Sequence, residues 1–133
     1  MTIPGISQVQ EIGQLDTPGE AYGVSIQGNF AYVADRSSGL RIIDISDPTN
    51  PLETGNYGII GYAYDVAISE EYAYLACMDA GMRIVDVSDP SNPFEVGYYD
   101  TPFYTRGITV AGDYAYLADS NSGGLRIVDI SDP

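Results

Sequence analysis

The chain has no histidine, no tryptophan and no lysine, and a single cysteine, Cys77, among its 133 residues. Without histidine there is no imidazole general base, no serine–histidine nucleophile and no imidazole metal ligand. One cysteine excludes an internal disulfide framework. Cys77, within AYLACMD, reads as a small buried apolar residue. No apolar run reaches the length of a membrane helix, and no signal-peptide pattern is present in the sequence. Positive charge is scarce: five arginines oppose 19 acidic residues, a net charge of -14. So negative a chain repels phosphate backbones and anionic lipid, so neither nucleic acid nor membrane insertion is expected, while cationic partners and divalent ions stay open. A need for solubility alone accounts equally well for the charge.

What the sequence does have is repetition. Glu11-Ile12-Gly13, Glu53-Thr54-Gly55 and Glu95-Val96-Gly97 are spaced by 42 residues, as are Ala34, Ala76 and Ala118. The last segment, GLRIVDISDP, is displaced by 43 because one residue is added in the turn 119–124; turns tolerate insertions best. Each unit holds four short runs of strand chemistry separated by turn chemistry, in the middle copy at 53–58, 64–68, 71–76 and 82–87. The paired prolines of SDPTNP and SDPSNP bar a helix, and no run shows a helical apolar period. In LRIIDI, apolar side chains occupy both faces: Leu40 and Ile42 on one, Ile43 and Ile45 on the other. The fold class is therefore all-β. Four-stranded repeats of about 42 residues, covered on both faces, predict β-propeller blades. The alternative with the same arithmetic is a β-trefoil, whose strands present one face to a barrel and alternate more cleanly. We read 1–133 as a single repeat domain, with an outer strand at 9–16 and repeat units at about 20–58, 62–100 and 104–133.

The runs LRIIDISDP (40–48), MRIVDVSDP (82–90) and LRIVDISDP (125–133), each preceded by AYVAD-like sequence, resemble the LVIVD repeat of bacterial and archaeal surface proteins. The resemblance extends from about Glu11 to Pro133. It implies four-stranded propeller blades in variable copy number and an extracellular or cell-surface location. It brings no catalytic motif and no cofactor.

Strand order then predicts assembly. If the run at 64–68 is an inner strand, the chain reads outer, then three times inner-second-third, with outer strands between. The third unit lacks an outer strand and the N-terminal region has a spare one. Three units are fewer than the roughly four to eight blades of a propeller ring, and no polar cap covers the first unit, whose Val24, Ile26, Phe30 and Tyr32 are as apolar as their equivalents. A homodimer of six blades, with 11–15 of each chain beside 125–130 of the other, is expected over a nine-bladed trimer. An excised or engineered part of a longer array gives the same pattern.

Residues present in every unit build the unit; departures from the repeat are the candidates for a site. Arg41, Arg83 and Arg126 recur, as do Asp44/Asp47, Asp86/Asp89 and Asp129/Asp132. Turn capping and Arg–Asp pairing between strands are expected of them rather than metal binding, since the loop lacks the Ca2+-binding alternation of acids. SSGL and NSGGL are hairpin turns, not phosphate cradles, and Tyr32, Tyr74 and Tyr116 repeat in phase as structure. The departures are Arg106 where the other units have Tyr22 and Tyr64, Asp65 where they have Gly23 and Gly107, and Cys77 where they have Asp35 and Asp119. Tyr22, Tyr64, Asp65 and Arg106 form the candidate ligand site, at one mouth of a central channel, for an anionic or aromatic group on a small molecule, glycan or protein. No catalytic residue, metal ligand or cofactor is assigned. The expected function is a non-enzymatic structural or recognition scaffold. The alternatives are an enzyme using Asp65 and Arg106 and a Ca2+-dependent surface adhesion module.

Overall fold

The computed structural model describes residues 9–59 and 61–133. Eleven strands and no helix occur among them: β1 (Gly23–Gln27), β2 (Phe30–Ala34), β3 (Leu40–Asp44), β4 (Leu52–Tyr57), β5 (Asp65–Ser69), β6 (Tyr72–Ala76), β7 (Met82–Asp86), β8 (Phe94–Tyr99), β9 (Tyr104–Ala111), β10 (Tyr114–Ser120) and β11 (Gly124–Asp129). The expected runs are present, shifted by a residue or so at their ends. They pair in chain order into three antiparallel sheets, β1-β2-β3-β4, β5-β6-β7-β8 and β9-β10-β11.

The local chemistry explains each turn. The first hairpin of every sheet has a two-residue loop whose leading position takes a left-handed φ: Gly28 at 59°, Glu70 at 54° and Gly112 at 59°. That turn matches the twist of the strands it joins. Each SDP turn is held by the preceding aspartate: the backbone N–H of Ser46, Ser88 and Ser131 donates to Asp44, Asp86 and Asp129 at 2.9, 2.9 and 2.8 Å. The fourth strand then pairs with a bulge, Ile42 facing Gly55 and Ile43 facing Glu53, and likewise Ile84 with Gly97 and Val85 with Glu95.

Burial follows the two-sided pattern. One core lies between the first and second sheets, where Tyr32, Ala34, Leu40 and Ile42 meet Val66, Ala73, Leu75 and Val85. A second lies between the second and third, where Tyr74, Ala76, Met82 and Ile84 meet Ile108, Ala115, Leu117 and Ile130. Each sheet thus turns one kind of face forward and another back. Backbone bridges tie the sheets as well: Arg36 exchanges both hydrogen bonds with Ala63, and Met78 with Thr105, all at 2.9–3.0 Å.

Residues 9–16 form no strand within the single chain; the neighbour expected for this segment is a strand of a second copy. One expectation needs correction: the recurring arginines do pair between strands, but not with the aspartates that end β3, β7 and β11. Arg41 reaches Glu53 at 3.5 Å and Asp35 at 3.9 Å, Arg83 reaches Glu95 at 3.4 Å and Asp100 at 3.8 Å, and Arg126 reaches Asp119 at 3.6 Å. The reason is parity: residues three positions apart in a strand point to opposite faces, so each arginine meets carboxylates of neighbouring segments and not the aspartate three positions on.

Candidate functional site at the leading ends of the first strands

β1, β5 and β9, the first strands of the three sheets, lie side by side, and the residues just before or at their starts converge. The rings of Tyr22 and Tyr64 stack at 4.8 Å between centroids and 22° between planes. The Arg106 guanidinium lies over Tyr64 at 5.8 Å. The structure therefore brings together three of the four sequence-predicted residues.

Asp65 has a different task. Its two carboxylate oxygens accept the backbone N–H of Val66 at 2.9 Å and of Ile108, on β9, at 3.0 Å. A methyl group on Gly23 would press against the Asp65 side chain and backbone. Asp65 thus stitches β5 to β9, with β1 close against it, and the glycines at the equivalent positions leave room for that contact.

The residue that sequence reasoning missed is Arg36. Its guanidinium lies 5.8 Å from the Tyr22 ring, 5.5 Å from Tyr62 and 6.0 Å from Tyr64, and it donates to Glu20 at 2.8 Å. Glu20, then Tyr64 and Tyr22, hold it more firmly protonated than an ordinary arginine. A signal was present: Arg36 stands where the second unit has Met78, a departure from the repeat like the others. The cluster offers two guanidiniums and exposed tyrosine faces, suited to attracting an anionic or aromatic group. Among the described residues, no group of three or more histidine, cysteine, aspartate or glutamate side chains converges to hold a metal. Two surface recesses elsewhere, around Tyr32 with Glu71 and around Tyr74 with Asp113, repeat in phase and so belong to the scaffold.

Stacked antiparallel sheets from tandem repeats of one unit define an all-β repeat protein. The LVIVD repeat model matches three times, at 18–58, 60–101 and 104–133, and the chain belongs to that family. Among solved structures it is similar in fold to two computationally designed proteins. Ika8 has a TM-score of 0.64 and 7% identity over 83% of this chain; this chain spans only 33% of Ika8. Ika4 has a TM-score of 0.58 and 6% identity over 92% of this chain and 99% of its own. No curated protein matches the chain.

Proposed function

We propose that this chain is a non-catalytic repeat scaffold that joins a second copy of itself, head to tail, into a six-sheet propeller ring. The observation that carries this reading is a pair of free faces that match. Leu125 and Ile127 are 66% and 59% exposed, whereas their equivalents Leu40, Ile42, Met82 and Ile84 are at most 5% exposed against the following sheet. Val24 and Ile26 are 63% and 56% exposed, whereas Val66 and Ile108, the equivalents of Val24, are at most 6% exposed against the preceding sheet. The forward face of the third sheet is the face that the first and second sheets bury, and the backward face of the first is the face that the second and third bury. Covering each such side chain contributes about 1.5–3 kcal/mol. Two copies related by a twofold axis bury both pairs of faces and leave none bare, with a sheet number inside the usual range of about four to eight.

Complementation tests it. Val24→Asp with Ile26→Asp blocks one face; Leu125→Asp with Ile127→Asp blocks the other. Each variant alone is expected to be a folded monomer, and an equimolar mixture to form one intact seam and run as a dimer. A mixture that stays monomeric while the unmutated chain is dimeric would exclude head-to-tail packing.

The cluster of Tyr22, Tyr64, Arg36 and Arg106 favours a recognition role for the scaffold, directed at an anionic aromatic group. Benzoate is the simplest probe: its addition is expected to shift the side-chain NMR resonances of Arg36 and Arg106 before those of Arg41 and Arg83, and equal shifts in all four would count against a site.

A further inference from the structure

We infer that the segment Gln10–Leu15 of one copy becomes the fourth strand of the third sheet of the next, in a fixed register locked by an ion pair between Glu11 and Arg126. The inference rests on the ring proposed above and specifies its seam.

Three observations fix the segment. First, its sequence is that of a fourth strand: Gln10, Glu11, Gly13 and Leu15 occupy the repeat positions of Leu52, Glu53, Gly55 and Tyr57. Second, it already lies where a fourth strand lies. A methyl group on Gly13 would overlap the carbonyl oxygen of Pro48, as a methyl group on Gly55 would overlap that of Pro90. Gly13 therefore rests on the first sheet's SDP turn as the fourth strand of the first sheet rests on the second sheet's. Third, the outer edge of β11 is unpaired among the described residues, since the third sheet ends at that strand.

The two complete sheets set the register. Leu40, Arg41, Ile42, Ile43 and Asp44 face Tyr57, Asn56, Gly55, Glu53 and Leu52, and the second sheet repeats this pairing. Carried to the third, Leu125 faces Leu15, Arg126 faces Gln14, Ile127 faces Gly13, Val128 faces Glu11 and Asp129 faces Gln10, with Ile12 as the bulged residue. Within this register Arg41 reaches Glu53 and Arg83 reaches Glu95, at 3.5 and 3.4 Å. Among the described residues Arg126 has no glutamate; its ion pair is with Asp119, and its Nε and one Asp119 oxygen are buried without a hydrogen bond. Glu11, exposed in the single chain, is the glutamate that the repeat places there. An unpaired edge and a displaced strand of matching sequence complete one another by strand addition.

A charge-reversal cycle tests the pair with the dimer dissociation constant as readout. Glu11→Arg and Arg126→Glu, each alone, set like charges together at both seams and are expected to weaken the dimer about tenfold; the double variant is expected to recover most of that loss. Glu11 is exposed in the single chain, so Glu11→Arg should leave folding unchanged by circular dichroism; Arg126→Glu also sets a second carboxylate beside buried Asp119, so where it fails to fold, Glu11→Arg and the cysteine pair carry the test. Register is read separately: Leu15→Cys with Leu125→Cys should give a reducible covalent dimer on oxidation. If the unmutated chain is monomeric, the ring itself fails. If it is dimeric but the reversals leave the dissociation constant unchanged, or the cysteine pair does not cross-link, the ring stands and the exchanged strand is overturned.

Discussion

At the scale of the residue, one repeat position shows how the same fold accommodates different chemistry. Asp35 is buried and accepts from the Thr17 hydroxyl and from the Gly19 N–H at 2.8 Å, and Asp119 accepts from the Thr105 hydroxyl at 2.8 Å. The second sheet has Cys77 there, and its Arg83 donates through Nε to the Ala80 carbonyl instead. Burial pushes the Cys77 thiol up to about 12, with Arg83 opposing weakly. The thiol is therefore neutral at ordinary pH, and a thiolate is the reactive form. A disulfide reagent at pH 8 is expected to leave the native protein unlabelled and to titrate one thiol per chain in guanidinium; labelling of the native chain at the rate of a free thiol would contradict the burial. The turn aspartates behave in the opposite sense. Asp47 accepts from the Thr49 hydroxyl at 2.6 Å and its N–H at 3.1 Å, which hold its carboxyl below the ordinary value. A lowered value stabilises the fold above the unfolded pKa, and that stability is lost as pH falls through the folded one. Thr49→Val should return the Asp47 carboxyl titration, followed by carbon-13 NMR, towards its ordinary position. No movement would mean that the hydroxyl is not the cause.

At the scale of the element, the hairpin between β5 and β6 carries a visible cost. Glu70 adopts the left-handed conformation that Gly28 and Gly112 adopt in the sister turns, and a side chain with a β-carbon is disfavoured there by about 1–2 kcal/mol. Glu70→Gly offsets part of that relief with the greater freedom of the unfolded chain. The net expectation is a gain of about 0.5–1 kcal/mol, seen as a rise of a few degrees in Tm; a fall would mean that Glu70 makes a compensating contact. The strands themselves were legible from the sequence, because alternating side chains, Asp-Pro turns and a repeated period of 42 constrain one another. The partners of Arg41, Arg83 and Arg126 were not. Pairing between strands was expected with the recurring aspartates, whereas the partners are other carboxylates, Glu53 and Asp35, Glu95 and Asp100, and Asp119, brought within reach by a bulge that no single unit reveals. Arg36 was legible in principle and overlooked: its neighbours Tyr62 and Tyr64 belong to another unit, and only the packing of β1 beside β5 brings them within cation–π range.

At the scale of the whole molecule, the chain presents two unlike apolar faces, each a copy of one already buried inside it. Internal repetition made that complementarity readable in advance: Leu125 and Ile127 match Leu40 and Ile42, and the structure adds that the former pair lies bare. What repetition could not supply was the position of Gly13 against Pro48, which places the N-terminal segment on the outside of the first sheet within the single chain. The most direct test is the mass of the chain in solution, by light scattering or sedimentation over a range of micromolar concentrations. A six-sheet ring predicts a single species at twice the 14.3 kDa chain mass. A monodisperse species at the mass of one chain, or of three, would contradict it.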